Sequence, residues 1–268
     1  MWAIYKKEIR QFLNSLIAYV VIGVFLTGIG LLTWVFPETS VLTYGYADME
    51  TLFTMGPFVF MFLIPAITMR MLAEENKTGT IELLLTRPLT DAQIIMGKFL
   101  AAFTLVVFSI LPTLIYCYSI AQLGNPMGNL DIPGIAGSYV GLILLGGVFA
   151  AIGLLASSLS ENQIIAFIIA VFLCFFLFAG FESLAGLFSG QLSTILEELS
   201  LSYHFEAMSR GLIDTRNVVY FISVSALALL LTHLKMAGRL FSFKPQRSKI
   251  LKGFVLGLVV LLVFNIAA

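Results

Sequence analysis

The stretch Ala73 to Lys98, AEENKTGTIELLLTRPLTDAQIIMGK, decides the fold, because it is the one long polar interval whose apolar residues follow helical order. It opens with acidic and amide side chains and turns at Thr78-Gly79. A leucine-rich segment, too short to cross a bilayer, comes next and ends at Arg87-Pro88. The apolar residues of this segment are Ile81, Leu83, Leu84 and Leu85.

A new helix is predicted near Asp91. Thr90 stands three residues before Gln93, the spacing of a capping box in which a hydroxyl and an amide satisfy free N–H groups. The leucine segment is thus held across a hairpin between two helices. An apolar patch exposed to water marks an interaction site, so the pattern predicts a cytoplasmic docking element. The alternative is a loop tucked against its own helix bundle.

Composition places the chain in a membrane. Hydrophobic residues make up 59% of the sequence, charged residues 11%, and the mean hydropathy is +1.00. The 15 basic and 15 acidic residues balance, so nothing favours nucleic-acid binding. The first apolar run is of span length and lacks a clear cleavage site, which indicates a retained helix rather than a signal peptide.

Six apolar runs are long enough to span a bilayer, and a seventh starts near Ile250. The six are Leu16 to Phe36, Leu52 to Met71, Phe99 to Leu123, Ile135 to Leu159, Ile164 to Leu187 and Val218 to Leu234. With a cytoplasmic N-terminus, all of the 15 Lys and Arg residues except Arg210 and Arg216 fall in cytoplasmic segments. The expected location is the bacterial inner membrane.

The chain resembles a known family in its docking stretch. The run EENKTGTIELLLTRPLT, followed by Gly97-Lys98, is similar to the loop after the second span in type-2 ABC exporter permeases. Within that class it looks most like the gliding-motility permeases of Bacteroidetes, over roughly Met1 to Leu240. The resemblance implies a six-helix transmembrane domain, a dimer, and two copies of a separate ABC ATPase that dock on a coupling helix.

By position, that helix would be Thr80 to Leu85. The residues expected to couple to the ATPase are Glu74, Glu75, Gly79, Thr80, Ile81, Glu82, Leu83, Leu84, Leu85, Arg87 and Pro88.

The predicted fold is therefore an all-α integral membrane protein with two additions to the six-helix domain. Residues 1–15 form an amphipathic interfacial helix that leads into the first span. Its apolar side holds Trp2, Tyr5, Ile9 and Phe12, a pattern that continues at Leu16 where the span begins, and Glu8 is among the polar residues opposite. Residues 16–240 form the six-span domain, with the coupling loop at 73–98 and outer helices at 188–216. Residues 241–268 form a basic linker and a seventh helix. That helix is either a simple anchor or the start of a fused periplasmic auxiliary subunit.

Two features of the spans each allow two interpretations. The fourth span is crowded with small residues, including Gly146, Gly147 and Gly153, which favours close helix packing over a substrate path. Glu182, near the outer end of the fifth span, is a candidate outer gate; a hydrated position at the interface is preferred over a paired one at membrane depth. Pro57, Pro65 and Pro112 are expected to kink the second and third spans.

The sequence carries no motif for catalysis. It lacks a phosphate-binding loop, so ATP and Mg²⁺ are expected on the partner ATPase, and no cofactor or metal is predicted for this chain. His204 is predicted to be a surface residue. Cys117 and Cys174 lie inside apolar runs and are expected to be structural.

Two functions remain open. One is a permease that couples ATP hydrolysis to export of a lipid-like or polypeptide substrate, because the spans hold few charged groups. The other is a mechanical or regulatory coupler that acts on periplasmic partners of a gliding or secretion machinery without solute transport.

Overall fold

The computed structural model describes residues 1–80, 90–240 and 256–257, and these residues contain helices but no strand. The helices are α1 Trp2–Leu13, α2 Leu16–Trp34, α3 Val41–Tyr44, α4 Glu50–Lys77, α5 Asp91–Ile110, α6 Leu114–Leu123, α7 Ile132–Leu159, α8 Gln163–Phe175, α9 Phe181–Ala185, α10 Gln191–Glu198, α11 Leu201–Ser209 and α12 Thr215–Leu240. The predicted seventh helix lies outside the described residues except for Leu256 and Gly257.

Long apolar helices make up the bundle. Within the described ranges, five helical segments are long and apolar enough to cross a membrane: α4, α5 with α6, α7, α8 with α9, and α12. The pair α1 and α2, bent by 66°, gives a sixth if it forms one span. We call the end that holds the α4 C-terminus and the α5 N-terminus the loop end, and the opposite end the cavity end. The predicted count of six spans plus a seventh stays a prediction.

The helix ends follow local sequence signals. Thr90 and Gln93 form the predicted capping box, and α5 begins at Asp91 as expected. Asp131 accepts a hydrogen bond from the Gly134 N–H and so caps α7 at the cavity end. Pro112 lies in a 3₁₀ turn, Leu111–Thr113, between α5 and α6, whereas α4 runs through Pro57 and Pro65 without a break.

The centre of the bundle is α7, which packs against α4, α5, α8, α11 and α12. Its small residues allow this close packing. A Cβ atom added at Gly153 would lie 1.9 Å from Thr68 Oγ1 of α4, and one added at Gly146 would lie 2.4 Å from Val106 Cγ1 of α5. The small residues of the fourth span therefore serve helix packing within the subunit, as the sequence favoured.

Two residues that the sequence predicts to be exposed, Glu8 and His204, are buried. The sequence places Glu8 on the polar side of α1, but Glu8 is buried together with Ile4 and Phe12, because Lys98 of α5 donates a hydrogen bond to its carboxylate. His204 was expected at the surface, yet it is buried, hydrogen-bonded to Asn217 and to the Glu198 carbonyl, and stacked on Tyr220. Two short helices, α10 and α11, lie within residues 188–216, the segment predicted to form outer helices; their position outside the membrane stays a prediction.

Candidate ATPase-coupling site

The coupling loop is described only at its two ends. Glu74 and Glu75 lie in the last turn of α4, Gly79 has a positive φ of 69°, and Thr80 follows it. A positive φ suits glycine because it has no Cβ, so Gly79 turns the chain out of α4. The other predicted coupling residues, Ile81, Glu82, Leu83, Leu84, Leu85, Arg87 and Pro88, lie outside the described residues, and their role stays a prediction.

A buried ion cluster joins the two ends of this loop. Lys98 of α5 is 1% exposed, and its Nζ lies 2.9 Å from Glu8 Oε1 and 2.9 Å from Glu75 Oε1. The same Nζ donates a hydrogen bond of 2.7 Å to the Met71 carbonyl. Lys98 thus connects the start of α5 with the end of α4 and with α1.

Lys7 completes the cluster from its exposed side. Its Nζ donates to Glu75 Oε1 at 3.0 Å and lies 3.6 Å from Glu8 Oε1. Burial lowers the pKa of Lys7, but Glu75 and Glu8 outweigh burial, so that pKa lies above its usual value of 10.5. The contribution of this contact to stability is therefore complete below pH 10.5 and is lost only as the pH rises through the raised value.

Some polar atoms of the same region have no partner among the described residues. They are Arg70 Nη2 and Glu75 Oε2, which are both buried. Arg70 also lies over the Phe12 ring, at 5.0 Å from the ring centre. The ion cluster borders a polar cavity of about 320 Å³ that reaches Thr78 and Thr80. This cavity opens where the loop leaves α4.

Ser157 of α7 ties the end of α4 to the bundle core. Its Oγ accepts hydrogen bonds from the N–H groups of Leu72 and Ala73 and donates one to the Met69 carbonyl. A side chain inserted at the backbone in this way fixes the position of one helix against another. Displacement of the α4 end would therefore act on α7 directly.

Sequence reasoning missed much of this site. Glu8 lies four residues after Ile4 and four before Phe12, and that spacing could have placed it on the buried face of α1. In the sequence, Lys98 stands out only as one of the basic residues that predict the orientation and as part of the family resemblance. Ser157 carries no local signal, since its partners on α4 lie more than 80 residues away.

Glu182, the candidate gate, lies at the opposite end of the bundle. It is exposed, and its Oε2 accepts a hydrogen bond of 2.6 Å from Ser202 of α11. Its predicted hydrated position at the membrane interface stays a prediction. A π-helical turn, Phe176–Gly180, precedes it. Glu182 borders a cavity of about 610 Å³ between α4, α7, α9 and α11. A role as a gate stays a prediction.

Comparison with known proteins identifies the family. No curated protein matches the sequence at a significant level. The family model described as ABC-2 family transporter protein matches residues 2–264, nearly the whole chain. Proteins of this family are the membrane subunits of ABC transporters, which work with an ABC ATPase subunit. The chain therefore belongs to the ABC-2 transporter family, as a multi-pass membrane permease subunit.

Proposed function

We propose that two copies of this chain form the membrane part of an exporter, and that two ATPase subunits dock on the segment Thr80 to Leu85. ATP binding and hydrolysis move the ATPases, and this motion enters each permease through the loop. The resemblance of the loop to gliding-motility permeases extends the proposal to that subgroup, in the inner membrane and with a periplasmic auxiliary subunit.

The main structural support for this proposal is the ion cluster around Lys98. A force applied to the 81–89 segment reaches α4 on one side and α5 on the other. Because Lys98 binds Glu75 of α4 and Glu8 of α1, these three helices respond together rather than separately. Such a connection is what a docking loop requires if its motion is to reach the membrane.

The cavity at the other end favours a permease over a mechanical coupler. Motion transmitted through Ser157 to α7 would reach Gly134 and Ser138, which border that cavity. A cavity of about 610 Å³ is within the size range of small-molecule sites. A coupler that moves no solute would not need such a cavity.

Docking can be tested by alanine substitution in the loop. Leu83→Ala and Leu84→Ala should each weaken ATPase binding by about 1 to 3 kcal/mol, the range of hot-spot side chains in an interface. Glu82→Ala should cost less, because charges at the rim of an interface contribute little to affinity. The measurement is the ATPase retained on solubilised, tagged permease, with permease abundance in the membrane determined in parallel.

Leu212→Ala is the matched control, since Leu212 is 75% exposed in the segment between α11 and α12, at the other end of the bundle. It should retain the ATPase fully. If the leucine variants are as abundant as the wild type and also hold the ATPase fully, this loop is not the docking element.

A further inference from the structure

The charged residues that line the cavity at the cavity end are all acidic. Among the residues that the structure describes, its lining includes five carboxylates and no Lys, Arg or His. The carboxylates are Asp48, Glu50, Asp131, Glu182 and Glu206. A cleft lined by charges of one sign concentrates the field and attracts ions of the opposite sign. Anionic ligands are therefore disfavoured here, and cationic ones are favoured.

The walls of the cavity are apolar and aromatic. Phe53 and Phe58 of α4, Phe178 of the π-helical turn and Phe205 of α11 all line the cavity. The rings of Phe58 and Phe178 meet edge to face, with 5.6 Å between their centres. Aromatic faces attract cations and also pack against hydrocarbon. The walls thus suit a ligand that carries an apolar body together with its charge.

An almost fully buried serine on the cavity wall makes no hydrogen bond within the described ranges. Ser138 of α7 is 3% exposed and lines the cavity, and its side chain makes no hydrogen bond with any residue in the described ranges. Buried hydroxyl groups are normally hydrogen-bonded, because leaving one unpaired costs free energy. Ser138 thus offers a polar contact to a molecule that enters the cavity.

The carboxylates differ in what they already bind. Glu182 accepts from Ser202, Asp131 caps α7, and Asp48 accepts from the Glu50 N–H. The side chains of Glu50 and Glu206 make no hydrogen bond within the described part of the chain. These two carboxylates are the ones free to meet a ligand.

A metal ion fits this geometry less well than an organic cation. Among the described residues, no group of three or more His, Cys, Asp or Glu side chains is placed to hold a metal. The carboxylates instead surround a space of about 610 Å³, which has the volume of a drug-sized molecule.

We propose that this cavity binds amphipathic organic cations, with the cationic group near Glu50 and Glu206 and the apolar body against the phenylalanines. The inference rests on the proposed function, because it names the substrate class of the same permease. Ser138 supplies a hydrogen bond to a polar atom of the ligand. The cation is the transported molecule, held at the end of the bundle that the charge distribution assigns to the outside.

The test uses two dyes that share a xanthene core and differ in charge. The purified full-length chain, in nanodiscs of neutral phosphatidylcholine, is titrated with cationic rhodamine 6G and with anionic fluorescein, and fluorescence anisotropy is corrected for empty nanodiscs. Rhodamine 6G should bind saturably and be displaced by excess tetraphenylphosphonium, and fluorescein should not bind. The affinity for rhodamine 6G should fall when the NaCl concentration is raised, because salt screens partly exposed charges.

Variants locate the binding. Glu50→Gln with Glu206→Gln should raise the Kd for rhodamine 6G about tenfold, since two partly exposed charge contacts are lost. Ser138→Ala should weaken binding about threefold. Glu38→Gln is the matched control: Glu38 is exposed in the segment between α2 and α3, at the same end, but does not line the cavity, and its Kd should not change.

Either of two results would overturn the inference: no saturable rhodamine 6G binding above empty nanodiscs, or equal affinity in the wild type and the double glutamine variant. Because the assay contains no ATPase, its outcome is independent of whether the 80–85 segment docks one. Loss of cation binding with intact ATPase docking would leave the permease function standing, and the reverse result would leave the cation site standing.

Discussion

At the scale of single residues, Lys98 is a buried charge that connects separate helices. It is almost fully buried and holds two carboxylates, Glu8 and Glu75, that come from different helices. A buried charge is expensive unless it is paired and hydrogen-bonded, and Lys98 meets both conditions. Replacing Lys98 alone should therefore lower the stability of the protein more than replacing Lys98 together with one of its carboxylate partners.

Lys98→Met should therefore destabilise the protein by about 3 to 5 kcal/mol, because among the described residues it leaves Glu8 and Glu75 buried with Lys7 as their remaining ion-pair partner. Adding Glu8→Gln to Lys98→Met should recover part of this loss, since Glu75 keeps its contact with Lys7 at 3.0 Å. The measurement is the thermal midpoint in nanodiscs. Lys77→Met, at an exposed position, should change stability by no more than about 0.5 kcal/mol. Equal midpoints for Lys98→Met and Lys77→Met would contradict this account.

At the scale of elements, the α4–α7 contact organises the bundle. Gly153 brings the α7 backbone against Thr68 of α4, and Ser157, four residues later, bonds to the α4 backbone. Four residues are about one helical turn, so both contacts lie on one face of α7. Close approach at Gly153 and hydrogen bonding at Ser157 therefore act as one interface.

Gly153→Ala tests this interface. Its Cβ would overlap Thr68 Oγ1, which is fully buried and donates to the Ile64 carbonyl, so neither group can move freely. Overpacking of this kind should cost about 1 to 3 kcal/mol. Gly28→Ala on α2, where an added Cβ meets nothing within 4 Å, should not destabilise the protein. Thermal midpoints that are equal for the two variants would mean that α4 and α7 separate readily.

At the scale of the whole molecule, the charge distribution predicts orientation. All but two of the 15 Lys and Arg residues fall in segments assigned to the cytoplasm, and the buried cluster of Lys7 and Lys98 lies at the loop end. Acidic residues instead border the cavity at the other end. The distribution of basic and acidic residues between the two ends of the bundle thus agrees with a cytoplasmic loop end and a cavity on the outer side.

Single cysteines in a background that lacks Cys117 and Cys174 test this orientation. A cysteine at Thr78 or at Lys244 should react with an impermeant maleimide only from the cytoplasmic side, and one at Asp131 only from the outside. Labelling is measured on intact cells and on inverted vesicles. Reaction of the Thr78 position in intact cells would reverse the assigned topology.

The sequence by itself determined the features that depend on neighbouring residues. Runs of apolar side chains located the central parts of the long helices, and the Thr90–Gln93 spacing located the start of α5. Hydropathy and helix capping act over one or a few turns, so a linear sequence contains them. The family followed from a short loop motif and agrees with the match over residues 2–264.

Only the tertiary structure decided which distant residues meet. Glu8 and Lys98 are 90 positions apart, and Ser157 is 85 positions from Leu72, so no local period could pair them. His204 is buried for the same reason, because Asn217 and Tyr220 of α12 surround it. The five carboxylates of this cavity come from four segments of the chain, and only the packing of α4, α7, α9 and α11 gathers their charges around one space.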